Sequence, residues 1–372
     1  IQGDFLVGFN YNDRKLITDG SQISNFTQFN DVVSGIRDID NALAENRTVG
    51  STFGQERTVG VIVIKTKSGK YNQKLQIKVK SSYSYDEIVR KYPLQTTFGQ
   101  GDNGVFNQRA RDSWGDKISS RIGGIDDYDT SSQYFLDQNG ATYYPILNKN
   151  STQIFDDSNF DKVFSNGEFF ENNISLSAGN NNSTIFASIS DFDQKGIIIN
   201  NSDYRRTTAR INVNHNLTSK IKISTNTSYS KTKSNRILRG RNSSGLYLGL
   251  LRTPADFDIS GYRGDYYESS ISSPISNRHR SYREPLGADD TPVYNNPLWT
   301  INEQENLVDV DRFISSLELK ATPLTWLELI GRVGLDTYAE HQQAFFTPGS
   351  ASGLYSTGSV SYTHLRAHET LR

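Results

Sequence analysis

The stretch Tyr204-Arg-Arg-Thr-Thr-Ala-Arg-Ile-Asn-Val-Asn-His-Asn-Leu217 is followed, after Thr218-Ser-Lys220, by Ile221-Lys-Ile-Ser-Thr-Asn-Thr-Ser-Tyr-Ser230. In the first run Thr207, Ala209, Ile211 and Val213 fall on one side of an extended chain, and Arg206, Thr208, Arg210, Asn212 and Asn214 on the other. The second run repeats this, with Ile221, Ile223, Thr225, Thr227 and Tyr229 opposite Lys222, Ser224, Asn226, Ser228 and Ser230. Side chains of a strand alternate between faces, so each run is a strand with one apolar and one wet face. The short polar segment from Asn216 to Lys220 reads as a tight hairpin between them.

Five further runs alternate in the same way. Leu75, Ile77 and Val79 lead into Tyr83 and Tyr85, Phe170, Ile174, Leu176 and Ala178 follow, and Ile185 to Phe192 comes next. Later, Phe313, Leu317 and Leu319 alternate with Ser316, Glu318 and Lys320, and Leu327, Leu329, Val333 and Leu335 face away from Glu328, Arg332 and Asp336. Short turns at 179–184, 216–220 and 321–325 alternate with long links at 86–167, 193–203 and 233–308. Outer-membrane barrels have this asymmetry, with short periplasmic turns and long extracellular loops. If the strand at 75–85 rises from the periplasm, every short turn falls on the periplasmic side. Seven strands are fewer than the smallest such barrel. The expected fold is therefore all-β, the opening part of a larger antiparallel transmembrane barrel.

Composition agrees. Among 372 residues, 40 Lys and Arg balance 41 Asp and Glu, which excludes a strongly basic nucleic-acid binder and a polybasic membrane segment. No window approaches the roughly 18 apolar residues of a membrane helix. Mean hydropathy is low at -0.60, yet the chain holds 20 Tyr and 19 Phe. Disordered chains are poor in aromatics, whereas amphipathic aromatic-rich strands suit a barrel wetted on one face. Without Cys there is no disulfide framework, thiolate nucleophile or Cys-based metal site. Without Met, Ile1 is not read as a native start, which leaves room upstream for a signal peptide.

Four apolar residues, Val61-Ile-Val-Ile64, lie between Gly60 and Lys65-Thr-Lys-Ser-Gly-Lys70 and read as a strand buried on both faces. The whole segment Phe53-Gly54 to Lys70 resembles the end of the plug domain in SusC/RagA-type TonB-dependent outer-membrane transporters. The family form is a Tyr-Gly pair, which Phe53-Gly54 fits as an aromatic-Gly pair, a short polar stretch, then Asn-Gly-Val-Ile-Val-Ile-Thr-Thr-Lys-x-Gly-Lys. Phe53, Gly54, Gly60, Val61, Ile62, Val63, Ile64 and Gly69 fit it, while Val59 and Lys65 depart from it. Downstream, Tyr92 to Phe106 with Trp114-Gly115, Ser190 to Gly196 and Asn201 to Thr207 extend the likeness.

The resemblance implies residues 1–70 as the late part of a plug and 71–358 as the first part of a barrel. It implies import of an oligosaccharide or peptide across the outer membrane of a Bacteroidetes-like bacterium. A SusD-like lipoprotein would be the lid, and TonB would act through an N-terminal box that this chain lacks. Outer-membrane lipid would surround the barrel. No cofactor, no nucleic-acid partner and no enzymatic activity are implied.

Ligand contacts are sought where aromatic rings and polar groups mix, since a nutrient site needs both. The link 233–308 carries Tyr262, Arg263, Asp265, Tyr266, Tyr267, Tyr282 and Trp299. These are the candidate ligand residues, with packing of the loop as their plainer role. Tyr83, Tyr85, Tyr229, Trp326 and Tyr338 near strand ends are expected at the membrane interface. Asp126-Asp127-Tyr-Asp129 lacks the spacing of a calcium loop and reads as a solvated acidic turn. His364, His368 and Glu369 have metal-pair spacing, but 359–372 lacks the period of two and looks like a translated sequencing adapter, so it is set aside as a non-native tail. The competing reading is a secreted or surface β-sandwich that binds glycans or partners without transporting them. A second sheet would then cover the apolar strand faces.

Overall fold

The computed structural model describes residues 67–237, 241–289 and 292–351 in full, together with the backbone of the strands Leu6–Val7 and Gly358–Leu371. All seven alternating runs are strands: β1 (Gln76–Asp86), β2 (Gly167–Gly179), β3 (Ser183–Lys195), β4 (Asp203–Asn216), β5 (Ile221–Asn235), β6 (Gln304–Leu324) and β7 (Leu327–Phe346). Each pairs antiparallel with its neighbour in the chain. The stretch Gly358–Leu371 adds β8 beside β7, although its sequence does not alternate. Ladder bonds join backbone groups, which every residue but Pro supplies in full. With Leu6–Val7 parallel to β1, the sheet has nine strands in one row. Among the described residues no helix is long and apolar enough to cross a membrane.

The register carries the alternation across the whole sheet, because ladder partners share a face. Val79 lies opposite Ile174, Ile174 opposite Ile189, Ile189 opposite Ala209, Ala209 opposite Tyr229, and Tyr229 opposite Phe313. The other face runs Lys78, Ser175, Ser188, Arg210, Ser228, Ile314 and Asp336. The apolar face is bare: Ile77, Val79, Ile174, Ile189, Ile211, Leu317 and Val333 are 42–61% exposed. A sandwich would bury these residues under a second sheet, and among the described residues none covers them.

Beyond the apolar rows the same face becomes charged. Asp191 pairs with Arg205 at 3.2 Å, and Lys231 with Asp311 at 3.4 Å. A tilted strand needs about 9–11 residues to cross the hydrocarbon layer. These strands have 11 to 21, so they stand proud of the apolar band. There both faces are wet and the period of two fades, so the pattern alone makes the links longer than they are. The loop expected at 193–203 narrows to 196–202, that at 86–167 to 87–166, and that at 233–308 to 236–303. Tyr338 is a second correction. It lies opposite Arg312, which lies opposite Ser230, so it sits on the polar face and not at an outer interface.

The chain before β1 lies against the polar face near the short turns. Asn212, 2% exposed, donates from Nδ2 to the Lys67 carbonyl at 2.6 Å. A Cβ on Gly69 would meet the Ile185 and Ala178 carbonyl oxygens at 2.5 and 2.6 Å, so only glycine lets this segment lie on the sheet. The other residues of the plug-like motif, Phe53, Gly54, Gly60, Val61, Ile62, Val63 and Ile64, lie outside the described residues.

Candidate functional site

Loops 87–166 and 236–303 emerge at the same end of the sheet and fold together. Gln133–Asp137 and Thr142–Tyr143 from the first combine with Arg263–Glu268 and Ile275–His279 from the second into one four-stranded sheet. Its central seam pairs Phe135 with Tyr266 and Tyr134 with Tyr267. Under it Phe135, Tyr266 and Leu286 form one core. A larger core gathers Val163 at the end of α1 (Asp156–Val163), Leu246 and Leu250 of α2 (Leu246–Arg252), Phe257, Ile259, Tyr282, and Ile301 of α3 (Pro297–Glu303). The loops therefore carry their own hydrophobic interior, which unstructured connections of this length lack.

A pocket of about 520 Å³ opens between them, within the size range of small-molecule sites. Phe106, Tyr128, Tyr143 and Tyr144 supply rings, and Asp126, Asp256, Asp258, Lys149 and Arg280 supply charge. Asp256 is bound to Arg121 at 2.8 Å, and Arg121 is held in turn by both oxygens of Asp116 at 2.7 Å. Lys149 reaches Asp126 at 2.7 Å and Lys162 reaches Asp258 at 2.6 Å. Burial alone would raise the Asp126 carboxyl, but Lys149 and the N–H groups of Ser151 and Asn150 outweigh it and hold it below the usual range. Asp258 is likewise depressed, with burial overcome by Lys162 and the Ser260 N–H. The acidic turn thus differs from its expected solvated state: Asp126 is a buried ion-pair partner. Asp127 accepts from Asn148, and Asp129 is lowered to about 2 by the hydroxyls of Ser131 and Ser132. Among the described residues no group of three ligands converges for a metal.

The ligand candidates read from sequence lie elsewhere. Tyr262, Tyr266, Tyr282 and Trp299 are buried, and Trp299 has none of its surface exposed. Arg263 pairs with Glu303 at 3.0 Å, Asp265 accepts from the Asn277 N–H, and Tyr267 stacks on Tyr134 with centroids 4.4 Å apart. None of the seven lines the pocket: Tyr266 and Tyr267 pair with the strand of the first loop, and Arg263 and Asp265 bond within the second. Arg280 and Tyr143, which are not among the candidates from sequence, do line it. The aromatic cluster Tyr134, Phe135, Tyr143 and Tyr144 in the first loop was the available signal.

Behind Trp299 lies His279, stacked on the indole at 4.1 Å. The Asn296 N–H donates to its Nε2 at 2.9 Å, so Nδ1 carries the proton and donates to the Gly349 carbonyl at 3.0 Å. Burial lowers its pKa to about 3, well below the ordinary 6.5. The unfolded loop takes up a proton as pH falls below 6.5 and the folded loop does not. Loop stability is therefore full above 6.5 and falls through the window from 6.5 to 3. By pH 5 the expected loss is about 2 kcal/mol, read as lower hydrogen-exchange protection in 236–303, each rate being taken relative to the intrinsic rate at its pH, and His279→Gln is expected to abolish the change.

No protein-family model matches the chain, and no curated protein matches it. Solved structures do. The RagAB peptide importer in its closed-closed state matches with a TM-score of 0.56 at 18% identity, over 86% of this chain and 34% of that one. Its open-open state gives 0.50 at 18% identity over 82% and 32%, and a RagAB peptide transporter structure 0.50 at 19% over 82% and 33%. The chain thus spans about a third of the length of those it matches. At such identity the likeness is one of fold: a large antiparallel sheet.

Proposed function

We propose that this chain is part of a TonB-dependent transporter of the SusC/RagA kind, importing a peptide or oligosaccharide across the outer membrane with a SusD-like lipoprotein as lid. The observation that carries the reading is the bare apolar band, continuous across chain-ordered antiparallel strands and bounded by charge on the side of the two co-folded loops. Lipid is the solvent such a face suits. The fold likeness to a peptide importer supports it and brings peptide forward beside glycan. In this reading residues 1–70 are the end of a plug, 71–358 begin the barrel, 359–372 are foreign, and the chemistry is transport and not catalysis. The seam of Lys67 and Gly69 against β2, β3 and β4 gives a plug a place to join the wall.

The test is recovery of the complete gene, its deletion in the source bacterium, and growth on peptide or glycan mixtures as sole nutrient. Growth lost on one class and restored by the gene supports import, and unchanged growth and uptake on every class overturns it. A variant pair tests the lipid face directly. Ile211→Arg, in the middle of the apolar rows of β4, is expected to lose about 2–4 kcal/mol in a bilayer, while Thr207→Arg, already in the charged row, loses about 0–1. Equal costs in a folding titration of the complete protein in vesicles would place water, not lipid, outside the sheet.

A further inference from the structure

Among the described residues that line the pocket between the loops, one cation, Arg280, has no carboxylate within ion-pair distance, although Asp258 and Asp137 act on it through space. The pocket's three carboxylates each have a cation: Lys149 for Asp126, Arg121 for Asp256 and Lys162 for Asp258. Arg280 also lines the pocket, and its side chain is enclosed. Nη1 donates to the carbonyls of Asp258 and Ser260 at 2.9 and 2.8 Å, and Nε has no partner. Asp137, which shares Tyr143 with this region, spends its oxygens on the N–H groups of Asn139 and Ala141 and the Tyr143 hydroxyl. The guanidinium instead lies over the rings of Tyr143 and Phe257, at 3.9 and 4.5 Å from their centroids. Ring faces offset part of the cost of burying a cation, but an unpaired buried charge stays costly. A fold that keeps it beside a cavity is complementary to an anion.

We propose that this pocket receives the carboxylate of an incoming solute on Arg280, with Tyr128, Tyr143 and Tyr144 against the rest of the molecule. Guanidinium and carboxylate match as a planar fork, and the low dielectric of an enclosed site strengthens the pair. The carboxylate has two natural sources, the C-terminus of a peptide and the acid group of a uronate sugar. The inference rests on the import reading only for how solute arrives. Binding is measured without transport, so failure of one does not imply failure of the other.

The experiment uses the protein made from its complete reading frame, in detergent, with four probes. They are an N-acetylated alanine tripeptide as free acid and as amide, and trigalacturonate as free acid and as methyl ester. At least one acid is expected to bind tenfold or more tightly than its neutral form, as a charged hydrogen bond provides. A preference in the peptide pair alone identifies the peptide terminus, and one in the sugar pair alone identifies the uronate. Arg280→Gln is expected to abolish the preference. Because that guanidinium also holds two carbonyls, Thr130→Glu gives an independent check at an exposed position of the pocket wall. It is expected to weaken the acid severalfold and leave the neutral probe unchanged. Equal binding of acid and neutral forms, no binding of any probe, a preference that survives Arg280→Gln, or an acid affinity that Thr130→Glu leaves unchanged overturns the proposal.

Discussion

In Asp256→Ala the two-loop assembly is expected to lose about 3–5 kcal/mol, the cost of breaking a buried ion pair from one side. Asp256 and Arg121 are both 1% exposed in their side chains. Asp256 also accepts the Gln100 N–H at 2.9 Å, so its loss takes one of the two carboxylates from a buried guanidinium and leaves a buried backbone donor unmet. Arg121 keeps Asp116 and the Ser151 carbonyl, which limits the loss but does not remove it. Gly99 shows how tightly the chain closes on the pair, since a Cβ there would meet Arg121 Nη2 at 2.0 Å and Asp256 Oδ2 at 2.4 Å. The check is proteolysis and hydrogen exchange of loops 87–166 and 236–303 in the complete protein, with strand dichroism unchanged. Replacing both partners, Arg121→Met with Asp256→Leu, is expected to recover part of the loss, because the carboxylate left alone, Asp116, is 26% exposed and can be met by water. A double variant weaker than Asp256→Ala would show that the hydrogen bonds, not the charge, dominate.

What the sequence disclosed was the part of the molecule governed by a single physical rule. Between a lipid-facing surface and a wet one, every second residue must be apolar, and runs such as Ala209-Arg-Ile-Asn-Val213 state that directly. Where β3 and β4 rise past the apolar band, Asp193-Gln-Lys195 pairs with Asp203-Tyr-Arg205, wet on both faces, and the rule no longer marks a strand. The loops obey no period at all. Their interior is made by residues distant in sequence, Phe135 against Tyr266 and Val163 against Ile259, so nothing local says which tyrosines point inward. In sequence Tyr262, Tyr266, Tyr282 and Trp299 therefore carry no mark of the burial they have in the fold. Arg280 is silent in sequence for the converse reason: its distinction is the lack of a carboxylate at ion-pair distance, and only the folded chain can show that.

Trp299→Ala is the second large effect, expected at about 3–5 kcal/mol because a fully enclosed aromatic leaves a cavity that rigid neighbours cannot fill. The ring stacks on His279, meets Tyr262 edge-on at 6.2 Å, and donates from Nε1 to Ser350 Oγ at 2.9 Å. Its helix α3 starts at the Asn296 cap, whose side chain accepts the Leu298 N–H while its own N–H holds His279. The indole thus joins that helix start to the segment after β7, where the Gly349 carbonyl and the Ala351 N–H are also tied down. Truncation should loosen all of it, so hydrogen exchange at 347–351 is expected to rise together with that of loop 236–303. Trp299→Phe keeps most of the area and loses the Ser350 bond, for about 1 kcal/mol. Trp114→Ala is the control, since that indole is 63% exposed and its removal is expected to cost within about 0.5 kcal/mol. Water admitted to the cavity would also relieve the burial that keeps His279 neutral. The stability loss between pH 6.5 and 5 should then be smaller in Trp299→Ala than in the unaltered protein. A cavity variant with an unchanged pH slope would mean that Trp299 is not what shields the imidazole, and the stacked pair would have to be treated as two separate contacts.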